Sequence, residues 1–188
     1  MSDIETMAVL GAGDTGNGVA RAAALGGLRV RLYDPSPDAL GRAIDHIRQG
    51  IQGAIARGRL SARDRQQILD GVLATTDLEE AVTDADLVID AGPDLLDLKR
   101  EIFARLGAAC RATAILATTT RALRLEAIAG SVPQPGRLVG LRFAEPVDEA
   151  QRVEIVPAAS TSTETVDRAR AFATRAGMAS LVACDGDG

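Results

Sequence analysis

The 188 residues predict an α/β fold of three layers, with a mainly parallel sheet sandwiched between helices. Three observations carry that prediction. Short apolar runs bounded by turn residues alternate with helical patterns from one end to the other, which is how successive βαβ units read. A glycine-rich turn, Gly11-x-Gly13-x-x-Gly16, joins the first apolar run to the first helical stretch. No repeat or low-complexity segment interrupts the alternation, and a chain of this length buries roughly two-thirds of its unfolded surface as one domain, residues 1–188.

The elements follow in order. The first strand is expected at Met7–Leu10, followed by an Ala-rich helix to about Leu25, and the second strand at Leu28–Tyr33. Ser36-Pro37-Asp38 then offers a capping hydroxyl, a proline suited to the first turn and an acid favourable to the helix dipole, opening a helix to about Arg57. Ser61, with Asp64 three residues on, opens another to about Leu69, so a helical pair projects between the second and third strands. Further strands are expected at Val72–Thr75, Leu87–Asp90, Thr113–Ala117, Leu138–Phe143, Val153–Val156 and Leu181–Cys184, with helices near 95–108, 123–130 and 164–176, the last capped by Thr163.

Composition narrows the function. Hydrophobic residues make up 46% and aromatics only 2%, so the core is aliphatic. A net charge of −5 with both signs interspersed gives no basic stripe, and the scarcity of aromatics removes stacking platforms, so nucleic acid is not the expected partner. No stretch approaches the ~20 apolar residues of a membrane span, and Met1 to Thr6 carries no basic region ahead of an apolar one, so a cytoplasmic protein is expected. Cys110 and Cys184 have no metal-ligand spacing and read as reduced thiols; no metal site is expected.

The glycine turn carries chemistry because of its context. It follows a strand, opens a helix, and precedes by 18 residues an acid, Asp34, at the end of the next strand. Gly11 permits the tight turn, Gly13 lets backbone approach a pyrophosphate, and Gly16 lets the helix pack close, while the helix N-terminus offers unpaired N–H groups to the anion. Gly11, Ala12, Gly13, Asp14, Thr15 and Gly16 are therefore the expected pyrophosphate cradle of a Rossmann-type fold. Asp34 is expected to accept from the adenosine ribose hydroxyls. Its carboxylate repels the extra phosphate of NADP, and Pro35-Ser36 supplies no arginine to offset it, so NAD is the expected cofactor.

Four segments, Val9-Leu10-Gly11-Ala12-Gly13, Thr76-Asp77-Leu78, Ala85 to Pro93, and Leu98-Lys99-Arg100-Glu101-Ile102-Phe103, together resemble the NAD domain of the 3-hydroxyacyl-CoA dehydrogenases. The resemblance implies cofactor contacts at Ala91, Asp94 and Lys99. Leu116 to Thr120 resembles the strand leading to the family's catalytic serine, with Arg121 at the serine position. Val139-Gly140-Leu141-Arg142-Phe143-Ala144-Glu145-Pro146-Val147 resembles its Gly-Leu-His-Phe-Phe-Asn-Pro-Val motif, with Arg142 at the histidine and Glu145 at the asparagine. The spacing is kept: Arg142 lies 21 residues after Arg121, and Glu154 lies 12 after Arg142, at the place of the carboxylate that orients the histidine. The resemblance also implies a small-molecule substrate of acyl-CoA type and a helical C-terminal domain supplying dimer contacts and part of the substrate cleft. Asp185-Gly186-Asp187-Gly188, directly after a strand, reads as a linker to such a domain.

Histidine suits the removal of a hydroxyl proton near neutral pH, and arginine cannot take it. Two readings therefore stand. In one, an NAD-dependent oxidoreductase of 3-hydroxyacyl-CoA dehydrogenase type uses Arg121 and Arg142 to hold an anionic group and Glu145 or Glu154 as base. In the other, a catalytically degenerate module binds NAD or acyl-CoA, and Arg142 and Glu154 form a structural ion pair. His46, the one histidine, is expected on the surface of the long helix, far from the Arg142 motif.

Overall fold

The structure, a computed structural model, describes residues 4–185, except for the side chain of Asp148. Eight strands form one sheet: β1 (Thr6–Leu10), β2 (Arg29–Tyr33), β3 (Val72–Thr75), β4 (Leu87–Asp90), β5 (Ile115–Thr118), β6 (Leu138–Phe143), β7 (Arg152–Pro157) and β8 (Ala179–Val182). Their order is β3-β2-β1-β4-β5-β6-β7-β8, and every neighbouring pair is parallel except β6 with β7. This is the three-layer Rossmann-type architecture the sequence predicts.

Alternation along the strands sends side chains to opposite faces of the sheet. Met7 and Val9 of β1 face one core, filled by Val19, Ala20 and Ala23 of α1 (Asp14–Leu25), Ile47 and Ile51 of α2 (Pro37–Ala56), and, from the last helix, Phe172. Ala8 and Leu10 face the other, filled from α4 (Leu78–Val82), α5 (Leu96–Ala109) and α6 (Leu125–Ala129), with Phe103 and Leu106 of α5 fully buried. Burying a side chain such as Phe103 contributes about 1.5–3 kcal/mol. The small residues of α1 let it lie close to β1, which fixes the turn between them.

The helical pair after β2 is present as α2 and α3 (Asp64–Asp70). Ser36 caps α2 as expected, its Oγ accepting from Ala39 N–H at 3.3 Å. At α3 only half of the expected box forms. The Asp64 carboxylate accepts from Ser61 N–H at 3.3 Å, but the Ser61 hydroxyl turns to Arg63 N–H at 3.0 Å.

Other boundaries shift for identifiable reasons. β8 begins two residues before the expected Leu181, because Ala179 N–H bonds to Gln151 O at 2.9 Å and starts the ladder with β7. Its side chains are all exposed, so apolar content could not locate it. β5 starts at Ile115, where pairing with Leu87 begins, rather than at Thr113. The last helix, α8 (Thr163–Arg175), is capped by Ser162, whose Oγ accepts from Thr165 N–H at 3.1 Å; Thr163 is its first residue, not its cap. Two short helices, α4 and α7 (Val147–Ala150), span five and four residues, too few to show a helical period. Asp77, which caps α4 by accepting from Glu79 and Glu80 N–H, was the readable sign of the first.

Candidate functional site

The carboxyl ends of β1, β2 and β4 meet at the glycine turn. Gly11 has φ +106°, a conformation that only glycine adopts without strain, and its N–H reaches Tyr33 O of β2 at 2.8 Å. A Cβ on Gly16 would lie 1.9 Å from Gly11 O, so the first turn of α1 presses against the loop that leads into it. A Cβ on Gly13 would meet nothing within 4 Å. Gly13 is also the N-cap of α1 and supplies no side chain to its amides, so the helix presents its positive end to open space. Those residues fit a pyrophosphate.

Asp34 is aimed into the same turn. Its Oδ2 accepts from Ala12 N–H at 2.9 Å and its Oδ1 from Ser36 N–H at 2.9 Å, which fixes the carboxylate and leaves lone pairs for further donors. Ala91 closes the other side: its N–H bonds to Leu10 O at 2.8 Å, and its carbonyl lies 3.0 Å from where a Gly11 Cβ would be. The glycines, Ala12, Asp34 and Ala91 are thus brought together at one edge of the sheet.

Asp94 and Lys99 occupy the β4–α5 connection. Lys99 is 1% exposed, and its Nζ donates to Asp90 Oδ2 at 2.7 Å and to Gly92 O at 3.2 Å, with Asp94 Oδ1 3.5 Å away. Thr118 of β5 donates to the same Asp90 oxygen at 3.3 Å. The ammonium therefore braces the loop behind the cradle from within, whereas Asp94, on the rim, is partly exposed.

The three positions matched to the family's serine, histidine and orienting carboxylate also converge. Arg121, Arg142 and Glu154 line one cavity of about 190 Å³, together with Arg152, Ala144 and Leu181. Arg142 and Glu154 are directly opposite across β6 and β7. They do not form the expected ion pair with each other. Arg142 donates through Nε to Thr120 O at 3.1 Å and through Nη2 to Asp185 Oδ1 at 2.8 Å, and both side chains of that pair are buried. Glu154 is paired instead with Arg121 at 3.7 Å, while Arg121 Nη2 donates to Phe143 O at 3.0 Å.

Asp185, read from sequence as the first residue of a linker, is thus an internal group. Its second oxygen accepts from Leu125 N–H at 2.8 Å at the start of α6. Nothing in the sequence marked it, since the contact spans 43 residues to Arg142. The rest of that tail, residues 186–188, lies outside the described residues.

Glu145 sits apart from this cavity. It follows β6, joined to Pro146 by a cis peptide bond, and its carboxylate accepts from the Thr15 hydroxyl at the start of α1. A second cleft, of about 460 Å³, is lined by Asp14, Asn17, Arg21, His46, Glu145 and Val147. The expectation that His46 lies far from the Arg142 motif is therefore corrected. α2 packs along α1, so His46 Nδ1 comes within 2.8 Å of the Asn17 amide and shares a cleft with Glu145, three residues from Arg142.

Elsewhere, Cys110 and Cys184 are free thiols, as expected. Burial pushes the Cys110 thiol up to about 11, with Arg137 pulling weakly the other way. Arg137 is itself lowered by burial; its guanidinium donates to Arg111 O at 2.9 Å and Gly107 O at 3.2 Å. Among the described residues no group of acids, cysteines or histidine could hold a metal, and no helix is long and apolar enough to cross a membrane.

Comparison with known proteins agrees with this geometry. Residues 6–186 match the family model described as 3-hydroxyacyl-CoA dehydrogenase, NAD binding domain. The 3-hydroxyadipyl-CoA dehydrogenase of Escherichia coli (strain K12) is 37% identical over 89% of this chain, which spans 35% of that protein. The probable 3-hydroxybutyryl-CoA dehydrogenase of Bacillus subtilis (strain 168) is 30% identical over 95% of the chain, which spans 62% of it. The crystal structure of 3-hydroxybutyryl-CoA dehydrogenase from Escherichia coli K12 superposes with a TM-score of 0.92 at 34% identity, covering 98% of this chain and 39% of that one. The chain therefore spans from about a third to less than two-thirds of these relatives. The cofactor of the matched domain is NAD, and the geometry of the turn at Gly11–Gly16 beside Asp34 is compatible with such a group. This chain belongs to the NAD-binding domain family of the 3-hydroxyacyl-CoA dehydrogenases.

Proposed function

We propose that the chain is the cofactor-holding part of an oxidoreductase that moves hydride between NAD and the 3-hydroxyl carbon of an acyl-CoA or related hydroxy acid. The observation that carries it is the fixed Asp34 carboxylate beside the open, uncapped N-terminus of α1. The amides of Ala12 to Gly16 would hold the pyrophosphate, the Asp34 carboxylate would accept from the adenosine ribose, and Ala91 and Asp94 would contact the cofactor from the β4 side. Lys99 acts through the loop it braces, since its ammonium is already held by Asp90 and Gly92.

NAD supplies a hydride acceptor when bound. The protein must then accept the hydroxyl proton, which Arg142 cannot do. Glu154, with its carboxylate partly exposed in the cavity that Arg121 and Arg142 also line, is the residue assigned to that proton. Glu145, turned toward Thr15, is left to the cofactor side of the site. The longer relatives support a second, substrate-covering domain as the partner of this one. Two free thiols suit the reducing conditions of the cytoplasm, where we place the protein.

The locked Arg142–Asp185 pair favours a second reading, a domain that binds NAD without turning over. Turnover of 3-hydroxyacyl-CoA and of the free 3-hydroxy acid with NAD separates the two. Under the first reading wild type reduces NAD and Glu154→Gln loses most of that rate with NADH binding intact. Under the second, wild type is inactive and the double variant Arg121→Ser, Arg142→His gains activity. An active wild type indifferent to all three substitutions would remove this cavity from the site.

A further inference from the structure

We infer that the cavity between β6, β7 and β8 selects a substrate with a free carboxylate close to its reacting hydroxyl, a small 3-hydroxy acid or its 3-oxo counterpart, held by Arg142, Arg121 and Arg152. The inference rests on the reading of this cavity as the reaction centre of an NAD-dependent oxidoreductase, and it names the substrate class that centre takes.

Charge is the first argument. Three guanidinium groups line the cavity, and two carboxylates answer them: Glu154, which pairs with Arg121, and Asp185, which pairs with Arg142. Arg152 has no side-chain partner among the described residues. Among the described residues one positive charge is left over, the complement of one bound carboxylate. A thioester carbonyl, being neutral, would leave it uncompensated.

Geometry is the second. Arg142 is 6% exposed, and its Nε and Nη2 are committed to Thr120 O and Asp185. Those two bonds fix the plane of the guanidinium while its Nη1 has no protein acceptor among the described residues. A guanidinium so oriented and largely desolvated is preorganised to donate to an oxyanion, and charge-assisted bonds of this kind are about twice as strong as neutral ones. Arg121 is oriented in the same way, by Phe143 O. Neither arginine needs a ligand to hold its position, so both offer ready-placed donors.

Chemistry is the third. Where the family resemblance implies a hydroxyl and an imidazole, suited to the oxygen of an alcohol, this chain carries two permanent cations within the same frame. Cations there favour an acid group at the site of reaction and cannot move protons, which leaves Glu154 alone as the proton acceptor.

The test is calorimetric titration of the NADH-saturated chain with acetoacetate, and with methyl acetoacetate as its neutral counterpart. Acetoacetate is expected to saturate and to weaken with rising ionic strength, and the ester to bind at least about tenfold more weakly. Arg152→Ala, at an exposed position, is expected to weaken acetoacetate about tenfold while NADH affinity and thermal midpoint stay at wild-type values. NADH binding without acetoacetate binding, equal binding of acid and ester, or an Arg152→Ala variant that binds acetoacetate like wild type would each overturn the carboxylate assignment and leave the NAD site standing. Failure of NADH to bind would overturn both.

Discussion

Asp34 is held in place beside the glycine turn by the backbone around it. Two backbone N–H groups, from Ala12 and Ser36, orient its carboxylate at 2.9 Å each, so its position is set before any ligand arrives. Replacing it by alanine removes the proposed acceptor for the ribose hydroxyls, and hydrogen bonds to a charged group are worth about 1.5–3 kcal/mol. Asp34→Ala is expected to weaken NADH by roughly 10- to 100-fold in a binding titration, with the fold intact by circular dichroism. Cys110 makes an independent prediction. Its thiol is raised by burial from 9.0 to about 11, so the native state keeps a proton that the unfolded chain loses. Its contribution to stability is full below pH 9 and is lost as pH rises toward 11. Urea unfolding across that window should show wild type losing stability more steeply than Cys110→Ala, and equal slopes would contradict the burial of the thiol. Near neutral pH a thiol reagent should label Cys184, which is exposed, and spare Cys110.

At the scale of elements, the turns at the carboxyl ends of β1, β4 and β6 shape the two halves of the site. Lys99 of α5 ties β4 to its own loop through Asp90 and Gly92, both charges being buried. Removing one partner leaves the other uncompensated, which costs about 3–5 kcal/mol. Lys99→Met should lower the urea unfolding free energy by about that amount, and a loss below 1 kcal/mol would show the pair to be solvated rather than buried. Most of this architecture was legible in the sequence. The strands Val72–Thr75, Leu87–Asp90 and Leu138–Phe143 fall where apolar runs between turn residues put them, because they are interior to the sheet or follow a strong turn signal. β8 was misplaced because an exposed edge strand has no apolar alternation to read. The glycine turn was legible because Gly11, Gly13 and Gly16 act through backbone geometry, and Asp34 because its carboxylate follows them at a fixed spacing. The crossed ion pairs were not. Arg142 with Asp185 and Arg121 with Glu154 are choices among side chains within reach of one another, made by the packing of β6, α6 and the segment after β8. His46 was misjudged for the same reason, since only the packing of α2 on α1 brings it to Glu145.

For the whole molecule, the parallel strands point their carboxyl ends at one rim, and the reversal at β7 folds the chain back so that Glu154 lies opposite Arg142 of β6 and within 3.7 Å of Arg121 in the loop after β5. The cofactor cradle lies at one end of this rim and the arginine-lined cavity at the other, with Glu145 reaching from β6 to Thr15 between them. Asp185 closes the arrangement by fastening the segment after β8 to both β6 and α6. The molecule is expected to hold NAD and to discriminate against NADP. Calorimetric titration of the 188-residue chain with NADH and NADPH tests it most directly. Saturable binding of NADH, with NADPH at least about tenfold weaker because Asp34 repels its ribose phosphate, is the predicted result. Equal affinity for the two would overturn the role of Asp34, and binding of neither would overturn the assignment of an NAD site.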